Sequence, residues 1–224
     1  MENSIELKEH MARAFLSKRL LYPNERVVAF LAQNYKDIER NASLKALDIG
    51  CGSGRHINLL LNYGINAFGV DHLEEGCKWS REILQDRNAA GDIYCGDFYN
   101  YYENETFDII ICFGVIFLMN IEKIQEWLID IHRIMKNSAR MIINFKTDED
   151  CLYGKGKQLD EYSFLLDESA GPYSSLVCSF FSHDRAKELL MTAGFSIENV
   201  ERYELWKDNL KNRHTWWHFS VKKQ

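Results

Sequence analysis

The 224-residue sequence is short of several features that would each have fixed its class. Its longest apolar run, 109–119, falls well below the roughly 20 residues a membrane-spanning helix needs. The opening stretch, MENSIELKEHMARAFLSKR, carries charges throughout and has no apolar centre of the kind a secretion signal requires. Six cysteines, at 51, 77, 95, 112, 151 and 178, form no CxxC pair and stand at no zinc-ligand spacing with histidine. Four of them lie in apolar or glycine-rich stretches, where a thiol behaves as a small hydrophobe, so a reduced, cytoplasmic protein without a metal site is expected. There is no basic excess: 27 Lys and Arg face 33 Asp and Glu, for a net charge of −6. Duplex binding depends on a cationic face that releases counterions, so DNA is not an expected partner, and neither is a membrane. There is no internal repeat or low-complexity segment, and only two prolines interrupt the chain.

What is present is rhythm. The length suits a single α/β domain, and the 46% hydrophobic content can fill its core. Residues 5–20 and 24–40 read as amphipathic helices broken at Tyr22-Pro23, with Asn24 as N-cap. Strands are expected at 44–49, 67–70, 93–95, 107–112 and 139–145, and helices at 55–62, 74–88 and 121–135. This alternation with short links predicts a doubly wound, Rossmann-like parallel sheet with helices on both faces. Beyond Lys146, residues 147–175 are polar and rich in Gly and Tyr, which suggests a lid or binding loop. A helix at 184–193, capped by Ser182, and strands at 195–205 and 216–222 joined by a polar loop close the chain. The expected organisation is a helical cap (1–40), a ligand-binding core (41–146), a lid (147–181) and a C-terminal helix with strands (182–224).

Ligands of open α/β sheets lie outside the carboxyl ends of the strands, and four features fall on that edge. Leu47-Asp48-Ile49-Gly50-Cys51-Gly52-Ser53-Gly54 is a glycine bend between a strand and a helix, open to close backbone approach. Counting from Gly50, the third glycine of a dinucleotide fingerprint is replaced by Arg55, which weakens a pyrophosphate reading. Asp71 ends the second strand, 21 residues after Gly50, and a carboxylate there can accept from both hydroxyls of a ribose. Asp97, in Gly96-Asp97-Phe98, is placed to accept from an exocyclic amino group while the Phe98 amide meets a ring nitrogen. The buried fourth strand runs into Phe113-Gly114-Val115.

These motifs, with FDIIICFGV at 107–115 and FSHDRAKELLMTAGF at 181–195, resemble the class I S-adenosylmethionine-dependent methyltransferases over roughly residues 40–222. The resemblance implies a seven-stranded sheet with an antiparallel last strand and S-adenosylmethionine as donor, with S-adenosylhomocysteine as product. It further implies that Asp71 holds the ribose, that Asp97 and Phe98 hold the adenine, and that Gly50, Cys51 and Gly52 pack against the donor. The carbonyl near Phe113 would face the methionine amino group. Tyr22 and Arg19, on a covering N-terminal segment, would touch the donor, as would His72 and His56 beside the motifs.

Many small-molecule members carry a His or Glu after the fourth strand, but here the stretch reads Val115-Ile116-Phe117-Leu118-Met119, with no ionisable group. A base would then come from a loop, with His183 and His214 as candidates, unless the acceptor is already ionised. His10 and His132 have plain readings, His132 as a mid-helix contact, and Lys146 is expected to be solvated. Tyr153, Tyr162, Phe164 and Tyr173, among charged neighbours, suit a small acceptor methylated on oxygen or nitrogen, on fold-level analogy a natural-product or glycan precursor. RNA or protein methylation, and a catalytically silent donor-binding module, are the alternatives. The sequence leaves the oligomeric state open.

Overall fold

The computed structural model describes residues 19–98 and 101–224. The helix expected at 5–20 lies outside the described residues except for its last two, which are not helical. The chain divides into two compact units, residues 1–113 with 133–142, and residues 114–132 with 143–224.

Among the described residues the first unit begins with α1 (Glu25–Asn34), whose N-cap Asn24 accepts from the Arg26 amide. It buries Val27, Phe30 and Leu31, the i, i+4 stripe of a surface helix. Where one helix was expected over 24–40 there are two, because the chain leaves the helix at Tyr35 and Asp37 caps the short α2 (Ile38–Asn41). Then follow β1 (Lys45–Ile49), α3 (Arg55–Asn62), β2 (Asn66–Asp71), α4 (Glu74–Asp86), β3 (Gly91–Cys95) and β4 (Phe107–Cys112). β1 pairs in parallel with β2 and β4, and β2 with β3, giving the order β3-β2-β1-β4. Phe107, Ile109, Ile110, Ile111 and Cys112 of β4 are fully buried, as a parallel strand covered on both faces must be. Where the chain turns into α3, Gly54 stands at φ +77°, and a Cβ there would lie 2.5 Å from Ile83 Cδ1 and 3.1 Å from Ser80 Cα. We expect Gly54→Ala to lower stability by about 2 kcal/mol or more, from left-handed strain and overpacking together, as read by urea denaturation.

α5 (Ile121–Ile134) and β5 (Met135–Thr147) have residues in both units. The second unit contains β6 (Lys157–Gln158), β7 (Ser163–Leu165), a 3-10 segment (Glu168–Tyr173), β8 (Val177–Phe181), α6 (His183–Thr192), β9 (Phe195–Lys207) and β10 (Asn212–Lys223). β8 runs parallel to the end of β5, β7 pairs antiparallel with β8 and β6, and β10 pairs with β5 and antiparallel with β9. Among the described residues the sheet therefore has ten strands rather than seven, mostly parallel through its centre with antiparallel strands at one side.

The segment expected to be a loop or lid, 147–181, is structured. Phe164, Leu166, Ala170, Cys178 and Phe180 bury a separate core with Phe117 and Leu152. Its strands are too short for a periodic signal, although Phe164/Leu166 and Cys178/Phe180 do carry the period of two. The C-terminal loop is also shorter than expected. β9 and β10 form a long hairpin closed by Asp208, Asn209 and Leu210, all at positive φ, so the polar residues 207 and 212–215 are strand.

Candidate functional site

The bend after β1 is held from below. The Gly50 and Cys51 amides both donate to Val70 O, at 2.8 and 3.1 Å, and Gly54 N donates to Cys51 O. Gly50 and Gly52 take φ of +76° and +46°, which only glycine adopts without strain. Asp71 then ties the two strand ends together: one oxygen accepts from Gly52 N and the other from Leu73 N, each at 2.9 Å. Burial raises the Asp71 carboxyl above its ordinary range, and the two backbone bonds act against that rise. Each carboxylate oxygen can accept a second bond. A Cβ on Gly52 would meet nothing nearer than 3.9 Å, so the space over this bend is open. On α4, Gly76 lets the helix close in, since a Cβ there would lie 3.1–3.3 Å from the Gly52 backbone.

Asp48 was not singled out in the sequence and is the most buried acid among the described residues of the first unit. Its side chain is 1% exposed; Oδ1 lies 3.5 Å from His56 Nδ1, and Oδ2 has no hydrogen-bond partner among the described residues. His56 Nε2 accepts from the Asn24 amide at 3.3 Å, which places its proton on Nδ1, facing Asp48. His56 thus ties the N-cap of α1 to β1 rather than standing open to a ligand. The signal for Asp48 was an acid inside an otherwise apolar strand, where an unpaired charge is costly unless something compensates it. Cys51 beneath the bend is buried, and burial first, then Asp48, push its thiol well above its ordinary value, so it packs and does not react.

Of the other expected contacts, His72 Nε2 and Asp97 Oδ1 come within 3.3 Å, both partly exposed. Phe98 is buried, so its side chain is core and only its backbone could meet a ligand. Phe113 is buried with its ring edge-on to His56, centroids 6.4 Å apart. Tyr22 is 84% exposed; the N-terminal segment instead reaches the glycine bend through Leu20 O, which accepts from Ser53 Oγ at 2.6 Å. Arg19 lies over Trp79 and 3.5 Å from Glu82.

In the second unit the two candidate histidines differ. His183 is the first residue of α6, after the N-cap Ser182, and lies partly exposed, 2.9 Å from Asp184 and stacked on Phe219. His214, 11% exposed, faces buried Asp150 at 3.7 Å and Cys151 Sγ at 3.6 Å. Asp150 also accepts from Lys146, from Thr215 N at 2.8 Å and from Leu152 N at 3.0 Å. Lys146, expected in solvent, is 0% exposed, with its ammonium 4.4 Å from the Trp216 ring centroid. The ion pair and the indole face replace the water it gives up. Burial raises the Asp150 carboxyl, but His214 and the Lys146 ammonium outweigh it and leave the group below its ordinary range. Among the insertion aromatics, Phe164 is core, Tyr162 stacks on Phe181 and Tyr153 stands half exposed. His132 meets Phe195 edge-on within the second unit, so its contact is to strand β9 rather than to another helix.

An open glycine bend, a strand-end carboxylate with acceptor capacity left and a buried acid with an orphaned oxygen suit a nucleoside that carries positive charge. S-adenosylmethionine is such a molecule, with a ribose and both a sulfonium and an ammonium group, so the residues present fit it. Fold and bend together define a class I nucleoside-binding α/β domain. Residues 47–143, somewhat less than half of the chain, match the methyltransferase domain family.

An S-adenosylmethionine-dependent methyltransferase from Methanosarcina mazei superposes with a TM-score of 0.70 at 18% identity, covering 86% of this chain and 96% of the other. The 1,6-didemethyltoxoflavin-N1-methyltransferase of Burkholderia thailandensis, solved with that substrate and S-adenosylhomocysteine, gives 0.66 at 15% identity, covering 98% and 89%. In sequence, a protein-L-isoaspartate O-methyltransferase of Cytophaga hutchinsonii is 30% identical over 60 residues, 27% of each chain, so the match spans about a quarter of that relative. Among the described residues no helix is long and apolar enough to cross a membrane.

Proposed function

We propose that this protein transfers the methyl group of S-adenosylmethionine to an oxygen or nitrogen of a small organic acceptor. The observation that carries the donor half is Asp71, bonded to the glycine bend with acceptor capacity left on each oxygen. We assign it the ribose, Asp97 and the Phe98 amide the adenine, and the backbone of Gly50, Cys51 and Gly52 the donor's flank. Tyr22, His72 and Phe113 complete that assignment. When bound, the donor supplies an electrophilic methyl on sulfur.

The chain must orient the acceptor, exclude water and, for an acceptor that holds its proton, take that proton up. We assign the last task to His214 rather than His183, because Asp150 faces the imidazole from a buried, fixed position. His214 would take up the acceptor's proton at its imidazole, and Asp150 is its positioning residue. His214→Ala is expected to lower kcat about a hundredfold, the low end for a positioned base. Full turnover of that variant would remove the role.

A small acceptor is supported by the acidic overall charge and by the compound that the Burkholderia thailandensis neighbour's name gives, 1,6-didemethyltoxoflavin. Turnover against a panel of phenols, alcohols, amines and sugars tests it. The isoaspartate relative favours a second reading, protein carboxyl methylation, and turnover of an isoaspartyl peptide alone would establish that one instead. Tight S-adenosylhomocysteine binding with no acceptor methylated would point to a donor-binding module. A cytoplasmic location belongs to the same proposal.

A further inference from the structure

β9 is 13 residues long and, among the described residues, pairs only with β10, leaving its other edge open. An exposed edge of that length is a template for another strand unless something blunts it. On one face of β9 the side chains run Val200, Arg202, Glu204, Trp206, with Tyr203 at the midpoint on the other face. That order is complementary to itself when reversed. In an antiparallel pairing about a twofold axis at Tyr203, Arg202 stands opposite Glu204 of the second copy and Val200 opposite its Trp206, each pair twice.

Competing registers fit less well. Centring on Glu201, Arg202 or Glu204 sets a charge against its own copy, and centring on Val200 carries Trp206 beyond the start of the partner strand. The Trp206 ring is 46% exposed. Beside Val200 lies an open groove of about 450 Å³ whose apolar lining is Met191, Phe195, Ile197, Val200 and Phe219, with His183, Lys187, Ser196 and Gln224 as its polar members; Met191 is 56% exposed. In the Tyr203-centred register the indole of each copy comes opposite Val200 and so over the groove of the other, a ring meeting that apolar lining.

We propose that the protein is a homodimer formed by antiparallel pairing of β9 with β9 of a second copy, fixed in register by Arg202–Glu204 pairs and by Trp206 seated in the groove beside Val200. The pairing continues the sheet across the twofold axis, and the strand's charges select the partner rather than merely blocking the edge.

The test is sedimentation velocity on the full chain, with circular dichroism to confirm folding. A species of twice the 26.3 kDa chain mass is expected at micromolar concentration. Arg202→Glu sets two acids opposite each other and is expected to weaken dimerisation at least tenfold, as is Glu204→Arg. The double exchange, Arg202→Glu with Glu204→Arg, restores the opposite pairs and is expected to restore the dimer. Within one chain Arg202 donates to Glu149 at 2.8 Å and lies 3.7 Å from Glu204, while Glu204 accepts from Arg213 at 2.8 Å and from the Trp206 indole at 2.7 Å. The dimer pairs form in exchange for these bonds, so rescue of dimer mass rather than of stability is the decisive reading. Trp206→Ala should weaken the dimer without unfolding the chain. A monomeric wild type, a dimer indifferent to Arg202→Glu, or a double exchange that stays monomeric while folded would each overturn the proposal.

Discussion

Asp71→Ala is expected to reduce affinity for S-adenosylhomocysteine several hundredfold or more in calorimetry. Two hydrogen bonds from ribose hydroxyls to an ionised carboxylate contribute about 1.5–3 kcal/mol each, and 1.4 kcal/mol is a factor of ten. The loss is compounded because the same carboxylate holds the Gly52 and Leu73 amides, so the bend loses its fixed shape along with its acceptor. The sign of the pH dependence follows from the ionised form being the acceptor. Burial raises the Asp71 carboxyl, so affinity should be level at neutral pH and fall as pH drops through that raised value, earlier than for an ordinary aspartate. Binding unchanged by the substitution would place the ribose elsewhere.

The second large effect concerns stability. Asp150→Ala leaves the Lys146 ammonium, 0% exposed, without its counter-charge and strands the Thr215 and Leu152 amides. Removing one partner of a buried pair typically costs about 3–5 kcal/mol, much of a domain's margin, so denaturant unfolding should shift by that amount or the chain should fail to accumulate. Replacing both partners, Lys146→Met with Asp150→Asn, should cost less than Asp150→Ala alone, because no charge is then left unpaired. The Asp150 carboxyl is depressed in the folded state, so its contribution is fully present above the ordinary carboxylate range near 4 and is lost as pH falls through the depressed value. A folded Asp150→Ala variant of unchanged stability would show that Lys146 is not sealed in as described.

Much of the first unit was legible because its signals are local. β4 and α3 lie where the apolar run and the glycine bend put them, since a buried parallel strand and a capped turn each write themselves into a few consecutive residues. The strand-end position of Asp71 follows from β2 ending at that residue. The insertion was less legible: its strands span two to five residues, below the length at which a period can be told from chance, and its aromatics read as a binding surface when Phe164 is core. Asp48 looked like part of a motif spelled around its glycines, and its orphaned oxygen emerges only once the strand is packed.

The amino-acid order alone determined the parallel α/β core, the left-handed bend and the carboxylate at the end of β2, because backbone preference and apolar period act over one element at a time. Tertiary structure alone decided that Lys146 is buried, that Asp150 meets Thr215 across 65 residues, and that Asn24 reaches His56 across 32. Such contacts arise from which chain segments the sheet brings together, and no neighbouring residue encodes them. That His214 rather than His183 faces buried Asp150 was decided in the same way.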